Sequence, residues 1–277
     1  MPMSQFYSTQ VSHSGLPLVL SQWILTALLW GIRVAWPLDT YFDSILLGVV
    51  LLTTGIPHGA NDLPLPRQRY PTWSWAGAFG CYLVLVLAAI DLMVCFPLLG
   101  FVVFLGLSAY HFGQGDLQRY LPFPRSCTAG WLYLSWGSLL LTALLGLHAS
   151  GLEPYLPPTK GMAGLILFST QLLHSPWVYL ALTAGLLAIT VWGGYLQMSD
   201  ALGRLMITGF LFMLFAQTSL LFSFSVYFGI WHCAEVIELF SQRLYGSPLT
   251  AHIGQFYRQA PPLTVLMSEP IYWHRAY

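Results

Sequence analysis

Three of the eight histidines, His58, His111 and His232, lie inside or at the end of strongly apolar runs. A polar group inside a membrane is costly unless paired, and by default it faces the interior of a helix bundle. Neutral imidazole is a good ligand for iron, zinc or copper, so three that converge would supply most of a metal site. The competing reading is three separate histidines, each hydrogen-bonding a neighbouring helix. The remaining five are placed differently. His13, His252 and His274 fall in terminal or loop segments and read as surface or interfacial groups; His148 and His174 sit near the outer ends of apolar segments, where the aqueous interface satisfies an imidazole.

The contexts of His58 and His111 echo one another. One run reads Pro57-His58-Gly59-Ala60-Asn61-Asp62-Leu63 followed by Arg67, and the other Tyr110-His111-Phe112-Gly113-Gln114-Gly115-Asp116-Leu117 followed by Arg119. Repeated helix ends can set equivalent groups at one depth, and Asp62 and Asp116 are then candidates to orient the imidazoles. The plainer account is that Gly59 and Gly113 terminate helices and the aspartates stabilise the following turns. Around His232 the sequence reads Phe228-Gly229-Ile230-Trp231-His232-Cys233-Ala234-Glu235-Val236. On a helix, Glu235 and Val236 both lie near the His232 face. Glu235 could be a carboxylate ligand, a hydrogen-bond partner of His232 or an orienting group.

The elements that carry these residues follow from composition. Of 277 residues, 56% are hydrophobic and only 7% are charged, against about 25% charged in an average soluble domain. Charge-free apolar stretches of this length read as transmembrane helices. The spans fall at about 18–37, 41–58, 76–95, 97–113, 129–148, 176–197, 203–223 and 225–243, giving an all-α, polytopic integral membrane bundle of about eight transmembrane helices. The whole chain, 1–277, reads as a single transmembrane domain with a short N-terminal segment, 1–17, and a C-terminal tail, 244–277. The apolar stretch 163–174 is too short to cross and reads as interfacial or re-entrant.

With the N-terminus inside, Arg67, Arg69, Arg119, Arg125, Arg204, Arg243, Arg258 and Arg275 fall on the cytoplasmic side, Lys160 outside and Arg33 within the first span. Asp39, Asp43 and Asp91 sit in outer turns. A bacterial inner membrane fits this pattern. Ten basic and ten acidic residues cancel, and without a basic run nucleic-acid binding has no electrostatic support. Neither a P-loop nor a Rossmann glycine pattern is present. Cys81, Cys95, Cys127 and Cys233 have no C-x-x-C spacing and read as membrane-buried thiols. At the outer start of the last span, His232 lies only about 10 Å in, whereas His58 and His111 lie near inner helix ends.

At the three histidine motifs, in their order along a polytopic chain, the sequence resembles the Brp/Blh family, the bacteriorhodopsin-related-protein-like β-carotene 15,15′-dioxygenases. The similarity covers most of residues 40–240. It implies a membrane enzyme using non-haem iron, Fe(2+), held by His58, His111 and His232, that splits the central double bond of β-carotene or a related carotenoid with O2 into two retinal molecules. The family's third motif carries a second histidine four residues after the first; here that position is Val236, with Glu235 as the nearest substitute. A further full span expected in this family would be missing or replaced by a short C-terminal segment. The alternative is a non-catalytic relative that binds carotenoid or retinal, or joins a membrane-protein partner, having lost the complete iron site. In either case membrane lipid surrounds the chain.

Overall fold

The computed structural model of the protein describes residues 16–35, 40–60, 74–121, 126–149 and 175–245. Every described element is helical. In chain order they are α1 (Leu16–Ala35), α2 (Thr40–Val50), a π-helical turn π1 (Leu51–Gly55), α3 (Ile56–Ala60), α4 (Trp75–Cys95), α5 (Pro97–Leu117), α6 (Cys127–Gly146), α7 (Pro176–Trp192), α8 (Met198–Gln217), α9 (Leu220–Ser225), a second π segment π2 (Val226–Cys233) and α10 (Ala234–Tyr245). Two rods are composite: α2–π1–α3 and α9–π2–α10. Six rods among the described residues are long and apolar enough to cross a membrane, and the apolar helices Phe79–Cys95 and Pro176–Trp192 are shorter. All eight expected spans are therefore helical, and the chain is a polytopic helical membrane protein.

Boundaries differ from the sequence expectation where local chemistry intervenes. The fourth span continues past Gly113 to Leu117, so Gly113 is not a terminator. The sixth ends at Trp192 rather than 197, because the chain turns at Gly193 and at Gly194, whose φ of 72° suits a residue without a Cβ. The last rod starts at Leu220 instead of 225: the Ser219 hydroxyl accepts the Phe222 N–H at 3.2 Å and caps it. The stretch 163–174 and the two terminal segments before Leu16 and after Tyr245 lie outside the described residues.

Without a hydrophobic driving force between helices in lipid, close packing relies on small residues. The tightest pair, α5 and α6, shows how. A Cβ on Gly113 would collide with the Tyr133 carbonyl, and one on Gly137 with the Ala109 carbonyl. Ala109 and Gly113 on α5 thus mesh with Tyr133 and Gly137 on α6. Around this pair, α7 packs on α8 and on α6, and α9 packs on α2. π2 is enclosed by π1, α1 and α5. Outward, Val84, Leu85 and Val94 of α4 and Leu107 of α5 are exposed, as a lipid-facing surface requires.

Polar contacts pin both ends of the bundle. At one end, Arg33 of α1 lies 3.3 Å from Asp43 of α2, and the Ser219 hydroxyl donates to the same carboxylate at 2.5 Å. The arginine placed within the first span therefore has an acidic partner. At the opposite end Arg119, Arg204, Tyr120 and Glu235 form a second cluster.

Candidate metal centre

Each histidine sits on a different rod: His58 on α3, His111 on α5 and His232 in π2. Because the last rod begins at Leu220, His232 lies about 18 Å along it rather than 10 Å, close to the about 21 Å of His111 from the start of α5. The depth conflict read from the sequence disappears with that earlier start. The structure brings all three imidazoles together, with their ligating atoms within 4.8 Å of one another. Nε2 of His58 is 3.2 Å from Nε2 of His111, and Nε2 of His232 is 3.3 Å from the same atom.

Those spacings have a chemical meaning. Imidazole nitrogens bound to a metal at about 2.0–2.1 Å lie roughly 2.8–3.4 Å apart for angles between octahedral and tetrahedral. Neutral rings alone satisfy the arrangement poorly, since the His111 Nε2 is either one donor or one acceptor and has two ring nitrogens against it. Convergent lone pairs around one point are what a cation requires. His58, His111 and His232 could hold one, and three protein ligands leave coordination positions open.

The surroundings differ from ring to ring. His58 and His232 are buried, whereas His111 is exposed on α5. Gly115, one turn after His111, makes room for the His232 ring: a Cβ there would stand 2.6 Å from its Cε1. Gly55 likewise admits Phe228, and Gly229 admits Val50, so π1 and π2 approach through glycines. Phe224 and Phe228 stack with centroids 5.2 Å apart at 9°, and Phe228 continues onto His232 at 6.1 Å and 20°. This aromatic column runs along the last rod to the histidines.

Asp116 is buried beside the cluster. Its Oδ2 accepts from Trp136 Nε1 at 3.1 Å and from the Tyr227 hydroxyl at 3.4 Å, while Oδ1 stands 3.8 Å from Nδ1 of His232. That nitrogen and Nδ1 of His58 have no hydrogen-bond partner among the described residues. Asp62 lies outside the described residues, as do His13, His174, His252 and His274. His148 is outside the cluster, its ring nitrogens set against the carbonyl oxygens of Leu144 and Thr218 at 2.6 and 2.8 Å.

Glu235 stands apart from the three imidazoles. It is buried, but it is not one of the converging groups: Arg204 reaches both carboxylate oxygens at 3.1 and 3.0 Å, and Arg119 approaches at 3.6 Å. The reason is the π segment. Hydrogen bonds from i to i+5 widen the turn at His232, so the offset that puts i and i+3 together on an α-helix sends Glu235 toward α8. Val236 keeps to the His232 side, with its Cγ2 3.1 Å from where a Cβ on Gly115 would be. Residues missed from the sequence are Trp136, Arg204, Gln22 and Thr26. For the last two a signal existed: polar residues four apart in an apolar span face inward.

Residues 49–268, which contain the three histidines, match the family described as beta-carotene 15,15'-dioxygenase. The chain belongs to that family. No curated protein and no solved structure matches it. The match to the dioxygenase family starts after α1, so Gln22 and Thr26 lie in a part of the bundle that the family match does not cover.

Proposed function

We propose that this chain binds one Fe(2+) through His58, His111 and His232 and cleaves the central double bond of β-carotene, or a related carotenoid, with O2. The observation that carries this reading is the meeting of three imidazole Nε2 atoms inside an apolar bundle, in a chain of the beta-carotene 15,15'-dioxygenase family. In the reaction one carbon–carbon double bond breaks and each of its carbons takes one oxygen atom of O2, giving two retinal molecules. Iron would supply the activation of O2.

The chain's own residues supply position and exclusion of water. His111 is exposed, and the turns before it on α5 expose Leu107 and Phe104, so a polyene dissolved in the bilayer reaches the histidines without crossing water. Phe224 and Phe228 offer flat faces beside His232. Three protein ligands leave room for O2, as catalytic metal sites require. The end of the bundle carrying Arg119 and Arg204 faces the cytoplasm in this reading, in a bacterial inner membrane, because basic residues gather there.

A second reading rests on Glu235 and Val236. With the carboxylate held by Arg204 and the next position apolar, no fourth ligand joins the three imidazoles among the described residues. That favours a relative which binds carotenoid or retinal, or a membrane-protein partner, without cleaving anything. Expression in a retinal-free host that makes β-carotene separates the two. The enzyme yields retinal, contains about one iron per chain, and loses both on His58→Ala, His111→Ala or His232→Ala. An iron-free parent that binds carotenoid and forms no retinal overturns the enzyme reading.

A further inference from the structure

We propose that π2 is a register device clamped from both sides, in which Gln22 on one flank and the Arg204–Glu235 pair on the other are positioning residues that aim His232 at His58 and His111. A π segment gives up the regular ladder of an α-helix and is seldom stable without cause. At the end of π2 the Ala234 N–H bonds to the Trp231 carbonyl instead of the Ile230 carbonyl four residues back. The Ile230 oxygen takes another donor: Nε2 of Gln22, reaching across from α1 at 2.9 Å and also lying 3.5 Å from the Trp231 oxygen. One turn further on α1, the Thr26 hydroxyl accepts Trp231 Nε1 at 3.0 Å. Gln22 and Thr26 are both fully buried.

The opposite flank is ionic. Glu235, three residues after His232, is held by Arg204 of α8, whose guanidinium also donates to the Tyr120 hydroxyl at 2.6 Å and lies 4.7 Å from that ring's centroid. Arg119, just beyond α5, donates to the backbone carbonyl of Glu235 at 3.0 Å. The rod carrying His111 is thereby tied directly to the rod carrying His232. Between these two anchors only one register of π2 keeps His232 on the cluster. An ordinary α-helical register through the same residues would turn the imidazole aside and rotate Cys233, which is now wholly buried, with it.

The role in metal binding rests on the iron reading above, so the test carries one readout with metal and one without. The full chain is purified in detergent with Cys81, Cys95 and Cys127 replaced by Ala. Cobalt(II) binding is followed by absorbance, and Cys233 by its rate of maleimide labelling. Gln22→Leu, Arg204→Gln and Glu235→Gln should each weaken cobalt binding about 10- to 100-fold, leave the cobalt band where it is because the three imidazoles remain its ligands, and unmask Cys233. Asp43→Asn, which breaks the polar cluster at the far end, should lower thermal stability and leave cobalt affinity and Cys233 protection intact. Unchanged affinity and protection in Gln22→Leu and Arg204→Gln overturn the proposal. So does an equal effect of Asp43→Asn, which would make the loss one of general stability, and so does a shifted cobalt band in Glu235→Gln, which would make Glu235 a ligand. A parent that binds no cobalt overturns the metal reading instead, and Cys233 labelling still decides the clamp.

Discussion

An imidazole that binds metal through Nε2 carries its proton on Nδ1, and in a dry interior that proton needs an acceptor. For His232 the nearest carboxylate oxygen among the described residues is Oδ1 of Asp116, at 3.8 Å, while Oδ2 is already fixed by Trp136 and Tyr227. A small movement on metal binding would close the gap to hydrogen-bond distance. Asp116→Asn is therefore expected to weaken iron binding by about 10- to 100-fold with the stoichiometry kept, measured by competition with a chromophoric chelator; an unchanged affinity would remove Asp116 from this role. Val236 offers the converse experiment. Its side chain rests against Gly115, on the same flank as the His232 ring, so Val236→His should bring a fourth imidazole to the cluster and tighten iron binding by tenfold or more. Affinity equal to the parent's would show that the three-ligand set is closed. Glu235→Gln carries a cost in stability as well, because it leaves Arg204 buried without its counter-charge, worth about 3–5 kcal/mol; chemical or thermal unfolding of the detergent-solubilised protein measures it. The histidines were legible in the sequence because imidazoles in apolar runs are expensive. The fate of Glu235 was not, because the π turn at His232 changes the α-helical offset and no local residue pattern announces it.

At the scale of elements, the eight expected spans were legible from apolar runs that carry few or no charges, since composition fixes what can lie in a bilayer. Their ends were less so. Ser219 restarts a helix five residues early, and π1 and π2 rephase two rods next to the histidines; both effects depend on side chains meeting across the bundle. Glycines were the most misleading. Gly113 looked like a terminator and instead lets α5 lie against α6, whereas Gly106 on the same helix has nothing within 4 Å of where a Cβ would be. The two make a paired prediction. Gly106→Ala should be neutral or raise stability by up to about 1 kcal/mol through helix propensity. Gly113→Ala must push against a backbone carbonyl that cannot rotate away, and should cost about 1–3 kcal/mol or more together with part of the iron affinity, as α5 carries His111 away from its partners. Thermal unfolding and iron content of both variants check this, and equal stability for the two would refute the packing role of Gly113.

Across the whole molecule, the two polar clusters give the bundle unlike ends. One end joins Arg33, Asp43 and Ser219, and the other gathers Arg119, Arg204 and Glu235 with Tyr120 over them. Counting basic residues in connecting segments assigns the second end to the cytoplasm, yet Arg204 is buried and Arg119 half-buried, so part of that count is held by Glu235 instead of facing the membrane surface. The orientation then leans more heavily on Arg67, Arg69, Arg125, Arg243, Arg258 and Arg275, and a direct test is worth having. The chain carries its own reporters. Cys95 closes α4 beside the turn at Phe96, at the end shared with Asp43, and Cys127 opens α6 at the end shared with Arg119. Both thiols are free and exposed. With Cys81 and Cys233 replaced by Ala, a membrane-impermeant maleimide added to intact cells should label Cys95, and Cys127 should react only after the membrane is opened. The reverse order would invert the bundle and put the arginine cluster outside. Labelling of both thiols in intact cells would break the alternation of α5, because a single crossing of that helix separates the turn at Phe96 from the one that follows Leu117.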